Sequence, residues 1–60
     1  MPFVTSSAIS RIEWEDGILS IWFKSTGRYD YPNVPLELFE AFLDAPSKGR
    51  FYNMYIRDKY

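Results

Sequence analysis

Arginines and aromatic rings are the side chains in this sequence that could do chemistry, and the chemistry they suit is the holding of a planar or anionic ligand. The residues that usually make and break bonds are missing. With no His there is no ordinary general base near neutral pH, and with no Cys there is no thiolate nucleophile and no disulfide. The same two absences remove the common zinc ligands, so no metal and no cofactor is expected. The eight carboxylates are scattered, with no close pair set by their spacing, and Ser47-Lys48-Gly49 falls far short of a phosphate-cradling loop. The expectation is a non-enzymatic binding protein.

Three constellations could carry the binding. Arg11 and Trp22 are set across from each other by a hairpin, and could hold a base between guanidinium and ring or simply cover the sheet as a cation–π pair. Tyr29 and Tyr31 share a strand face, either as stacking platforms or as core rings whose hydroxyls reach a polar partner. Ser47 opens a helix whose free N–H groups could take an anion, with Lys48 and Arg50 beside it, or it could be a plain cap. Arg57, near the end of the last helix, could complement the helix dipole.

The elements that must position these groups follow from local pattern. Residues 8–15 and 18–24 flank Asp16-Gly17, whose residue types favour the two positive φ values of a type I′ hairpin turn. That turn pairs Trp14 with Leu19, Ile12 with Ile21 and Ser10 with Phe23 on a core face. It pairs Glu15 with Ile18, Glu13 with Ser20, Arg11 with Trp22 and Ile9 with Lys24 on the other. Ser25-Thr26-Gly27 is turn chemistry, and residues 28–32 return as a third strand; a three-residue loop sets Phe23 opposite Tyr29 and Ile21 opposite Tyr31, burying both rings, whereas a two-residue loop places Tyr31 opposite Trp22. Pro35 suits the first turn of a helix over 35–45, with Leu36, Leu38, Phe39, Phe42 and Leu43 on its apolar side. A second helix is expected over 47–58, where Phe51, Met54 and Tyr55, with Tyr52, Ile56 and, beyond its end, Tyr60, recur at helical spacing. The fold class is therefore α+β, a three-stranded antiparallel β-meander followed by two short helices packed on one face.

These residues resemble the KTSC domain, a short module found at the carboxyl end of some lysyl-tRNA synthetases and as single-domain bacterial and phage proteins. The resemblance runs through Ser6-Ser7-x-Ile9, Trp14 where the family often has Tyr, Leu19-x-Ile21-x-Phe23, Tyr29-Asp30-Tyr31, Val34-Pro35, Ser47-Lys48-Gly49-Arg50-Phe51-Tyr52-Asn53 and Ile56-Arg57-x-x-Tyr60. It implies one KTSC-like domain over residues 1–60 and, as a ligand class, RNA. It also implies that Arg57 and Tyr60, with Ser47, Tyr52 and Asn53, could grip a phosphate or a neighbouring subunit.

Size and charge narrow the partner. A chain of 60 residues buries only about 60% of the surface of its unfolded state, so without disulfide or metal it is expected to associate with copies of itself. Such a chain also encloses too little volume for a ligand pocket within one copy. A formal net charge of -1 lacks the basic stripe that a polyanion requires, while one or two phosphates need only one or two arginines. The expected function is a homo-oligomer that binds a nucleotide or nucleotide-derived signal, conceivable as a phage sponge for a host immune signal. An RNA or tRNA accessory module and a structural protein–protein module are the alternatives. The amino terminus lacks a basic region followed by a long apolar core, and no window has the ~20 apolar residues of a membrane span, so a free-standing cytoplasmic protein is expected, with no membrane partner.

Overall fold

The computed structural model describes residues 8–60, and the Ser6-Ser7 pair of the family-like pattern lies outside that range. Three strands, β1 (Ile9–Glu15), β2 (Ile18–Phe23) and β3 (Gly27–Tyr31), form one antiparallel sheet in the order β1-β2-β3. Helix α1 (Leu36–Asp44) follows. Helix α2 (Lys48–Phe51) then runs without a break into a π-helical stretch, Tyr52–Ile56.

The first hairpin forms as its turn chemistry demands. Asp16 and Gly17 both have positive φ, 52° and 83°, and the pairs from Glu15 with Ile18 to Arg11 with Trp22 stand in the expected register. Beyond Arg11 the expectation fails. The ladder shifts by one residue at Ser10, so that Ile9, and not Ser10, lies opposite Phe23. Ser10 is the extra residue of a β-bulge, and its hydroxyl donates to the Trp22 carbonyl at 3.2 Å. The physical reason is burial: a regular ladder turns Ile9 to the outer face, whereas the bulge makes it fully buried, worth roughly 1.5–3 kcal/mol for a side chain of that size.

The second hairpin has the three-residue loop, displaced by one residue on each strand. Phe23 pairs with Gly27 across Lys24-Ser25-Thr26, so Tyr29 stands opposite Ile21 and Tyr31 opposite Leu19, not Phe23 and Ile21 as expected. Gly27 decides this, because its φ of 89° closes the loop in a conformation that a side chain resists. The displacement preserves parity, so both tyrosines remain on the face turned toward the helices.

That face holds the core. Ile9, Ile12, Leu19 and Ile21 from the sheet meet Phe42 of α1, Ile56 of the π-helical stretch and Val34 from the connecting segment, all buried. Val34 is bound at both ends: its N–H donates to the Gly17 carbonyl at 2.8 Å and its carbonyl accepts the Trp14 indole N–H at 2.7 Å. The two helical segments lie on one side of the sheet, as expected. The last segment departs from regular helical spacing, because the Arg57 N–H reaches back five residues to the Tyr52 carbonyl at 2.8 Å. The wider turn sends Ile56 inward and leaves Met54 and Tyr55 exposed, although the Tyr55 ring lies tilted against Phe51 with centroids 4.7 Å apart.

Candidate functional site

On the outer face of the sheet, neighbouring strands set Arg11, Trp22 and Arg28 in one row, because Trp22 pairs with Arg11 on one side and with Arg28 on the other. The Arg11 guanidinium carbon stands 4.4 Å from the centre of the indole and that of Arg28 stands 5.1 Å from it. Both distances are those of cation–π contacts. Each arginine is also held by a carboxylate two residues along its own strand, Arg11 by Glu13 and Arg28 by Asp30 at 2.9 Å. Asp30 accepts a second hydrogen bond, from the nearly buried Ser20 hydroxyl at 2.8 Å. The Arg28 and Ser20 hydrogen bonds hold the Asp30 carboxyl below the usual carboxylate range, so it stays ionised beside the guanidinium.

Arg28 contacts Asp30 through Nε alone, and its two terminal nitrogens have no partner among the described residues. Beside it is an open hollow of about 220 Å³ lined by Glu13, Trp14, Glu15, Asp16, Ile18, Ser20 and Arg28. A cation with free donors and several carboxylates can together accept a small polar ligand with few negative charges. Sequence pattern alone does not distinguish Arg28 from a solvated surface cation. The signal that could have placed it was Gly27, whose left-handed backbone ends the loop and brings Arg28 opposite Trp22.

The other candidates lie elsewhere. Tyr31 and Tyr52 share a hydrogen bond of 2.8 Å between their hydroxyls on the core side of the sheet, with Phe23 packed edge-on against Tyr52 and Tyr29. Burial, and then the bond to Tyr52, raise the Tyr31 hydroxyl above the ordinary tyrosine range. These rings face the helices, and Tyr29 alone of the two strand tyrosines is exposed. Ser47 accepts the Arg50 N–H at 3.3 Å as a helix cap, and the Lys48 ammonium turns back to the Ala45 carbonyl at 2.6 Å. Arg50 borders a shallow apolar hollow with Pro46, Phe51, Met54 and Tyr55. Asn53, Arg57 and Tyr60 are exposed. Among the described residues, no cluster of His, Cys, Asp or Glu could hold a metal ion, and no helix is long and apolar enough to cross a membrane.

The profile of the KTSC domain matches residues 5–60. The chain belongs to the KTSC domain family. The fold agrees: the crystal structure of a KTSC domain protein from Yersinia pestis superposes with a TM-score of 0.94 at 38% identity, covering 97% of this chain and 84% of that one. No curated protein matches the chain. In this KTSC domain the Tyr29-Asp30-Tyr31 motif divides between two faces, its tyrosines turned to the core and its aspartate to the arginine row. The Ser47 motif forms the cap that starts the closing helix, and Tyr52 joins that helix to β3.

Proposed function

We propose that this KTSC domain is a non-catalytic binding module for a nucleotide or nucleotide-derived signal, held on the outer face of the sheet in an assembly of identical chains. One observation carries the reading: Arg28 is fixed over Trp22 by its Nε bond to Asp30 while both terminal nitrogens remain open to a phosphate. A guanidinium fixed in this way presents two parallel donors to an oxyanion with little further loss of freedom. Glu13, Glu15 and Asp16, which line the adjoining hollow, suit the amino and hydroxyl donors of a base and sugar. The same carboxylates repel a polymer of phosphates, which makes a small ligand the better fit than RNA. A hollow of about 220 Å³ is below the 300–1,000 Å³ usual for a ligand site, so a second chain must complete it. With no chemistry on the ligand, the cellular effect is sequestration, as by a viral sponge for an immune signal.

Titration calorimetry and thermal melting with cyclic dinucleotides and ADP-ribose-type molecules test the proposal. A rise in melting temperature that Arg28→Ala removes is the expected result. No response across the panel overturns it, and binding to tRNA with a steep salt slope replaces it with the RNA reading.

A further inference from the structure

Strand β3 is an edge, hydrogen-bonded to β2 on one side and to nothing among the described residues on the other. The phase of its backbone follows from the first hairpin. In an antiparallel ladder the two residues that flank a two-residue turn exchange both main-chain hydrogen bonds, and the pattern then alternates. Ile18, Ser20 and Trp22 therefore direct their N–H and carbonyl groups toward β1, and Leu19, Ile21 and Phe23 toward β3. The bond from the Lys24 N–H to the Ala8 carbonyl continues the same phase. On β3, Gly27, Tyr29 and Tyr31 answer β2, so the main-chain groups of Arg28 and Asp30 point outward from the edge.

We propose that a second copy of this chain adds antiparallel to this edge, with the two β3 strands centred on Tyr29. In this register Arg28 of each copy stands directly opposite Asp30 of the other, and four main-chain hydrogen bonds join them. The two Tyr29 residues face each other at the closer, non-hydrogen-bonded position of the ladder. Tyr29 is 48% exposed, so there is apolar surface for its counterpart to cover. Charge selects the register. A slip of two residues in one direction sets Arg28 against Arg28 and in the other Asp30 against Asp30, and like charges directly opposite are unfavourable. The second slip also brings Pro32, which has no N–H, opposite Arg28. A strand that carries one cation and one anion at its two outward positions is self-complementary only when it is centred on the residue between them. The result is a continuous six-stranded sheet in which the two Arg28 side chains lie on one outer face. This pairing supplies the partner chain that the proposed ligand site needs, but it stands on backbone phase and charge, with no ligand in the argument.

Charge exchange tests it. Arg28→Asp and Asp30→Arg, each alone, are expected to weaken self-association in sedimentation by at least about tenfold, since each places like charges opposite one another twice. Mixed one to one they are expected to form a heterodimer, and R28D/D30R in a single chain is expected to restore the homodimer. Tyr29→Cys, in a chain with no other thiol, is expected to cross-link to its copy under mild oxidation, whereas Glu40→Cys on α1 is not. A wild-type chain that stays monomeric at high micromolar concentration, single variants that associate as tightly as wild type, or a mixture that gives no heterodimer overturns the pairing. Nucleotide binding by an assembly joined through another surface, with Tyr29→Cys failing to cross-link, overturns the pairing and leaves the ligand reading standing.

Discussion

Arg28 lies directly across the β2–β3 ladder from Trp22, and its guanidinium carbon stands 5.1 Å from the centre of the indole. With Arg11 on the opposite neighbouring strand, the ring is flanked from two strands by cations that Glu13 and Asp30 hold in place. The row follows from strand register, which sets Arg11 and Arg28 on either side of Trp22.

Removing either end of that contact has different consequences. Trp22→Ala takes away a half-buried ring and two cation–π contacts worth roughly 0.5–1 kcal/mol each, and is expected to lower stability to urea by about 2 kcal/mol. Arg28→Ala touches an exposed ion pair and is expected to cost less than about 1 kcal/mol. In a chain that already carries Trp22→Ala, the Arg28 substitution should cost still less, and a double-mutant cycle reads the difference.

The Tyr31–Tyr52 hydroxyl pair ties β3 to the π-helical stretch. Tyr31→Phe leaves the Tyr52 hydroxyl without its partner and is expected to cost about 1 kcal/mol by urea unfolding. Tyr31→Phe with Tyr52→Phe leaves neither hydroxyl to be satisfied, and should be no less stable than the single variant.

Titration gives the chain two limits. The Tyr31 hydroxyl is raised in the folded state by burial and then by Tyr52, so the folded chain keeps a proton that the unfolded chain loses near pH 10. Its contribution is full below that pH and declines as pH rises above it, and Tyr31→Phe should flatten the alkaline part of the stability curve. Asp30 behaves oppositely. The Arg28 and Ser20 hydrogen bonds lower it, so its contribution is present above its unfolded value of 3.8 and is lost as pH falls through its lower folded value. Asp30→Asn should reduce the acid dependence of unfolding at and below the ordinary carboxylate range.

The bulge at Ser10 can be read from two substitutions. Ile9→Ala, at a fully buried position, is expected to cost roughly 2–5 kcal/mol, and Ser10→Ala less than about 1 kcal/mol. Comparable small losses at both positions, measured by urea unfolding, would mean that Ile9 does not reach the core.

Local chemistry in the sequence determined the elements of this protein. Asp16-Gly17 sets the first hairpin because few residues accept two consecutive positive φ values, Pro35 starts α1, and Ser47 caps α2, each through contacts a few residues apart. Strand periodicity identified Ile12, Leu19 and Ile21 as core and put Arg11 beside Trp22. Tertiary structure decided the rest. Whether β1 admits an extra residue at Ser10 depends on what waits to receive Ile9, namely Phe42 and Ile56, which arrive from segments about 30 to 50 residues away by chain order. The position of Gly27 at the loop exit, the π-helical turn that points Ile56 inward, and the place of Arg28 over Trp22 are likewise outcomes of packing. Periodicity fixes which residues share a face, but the register between two strands is chosen by the burial the whole core gains, and a single-residue choice at Ser10 or Gly27 decides which side chains meet.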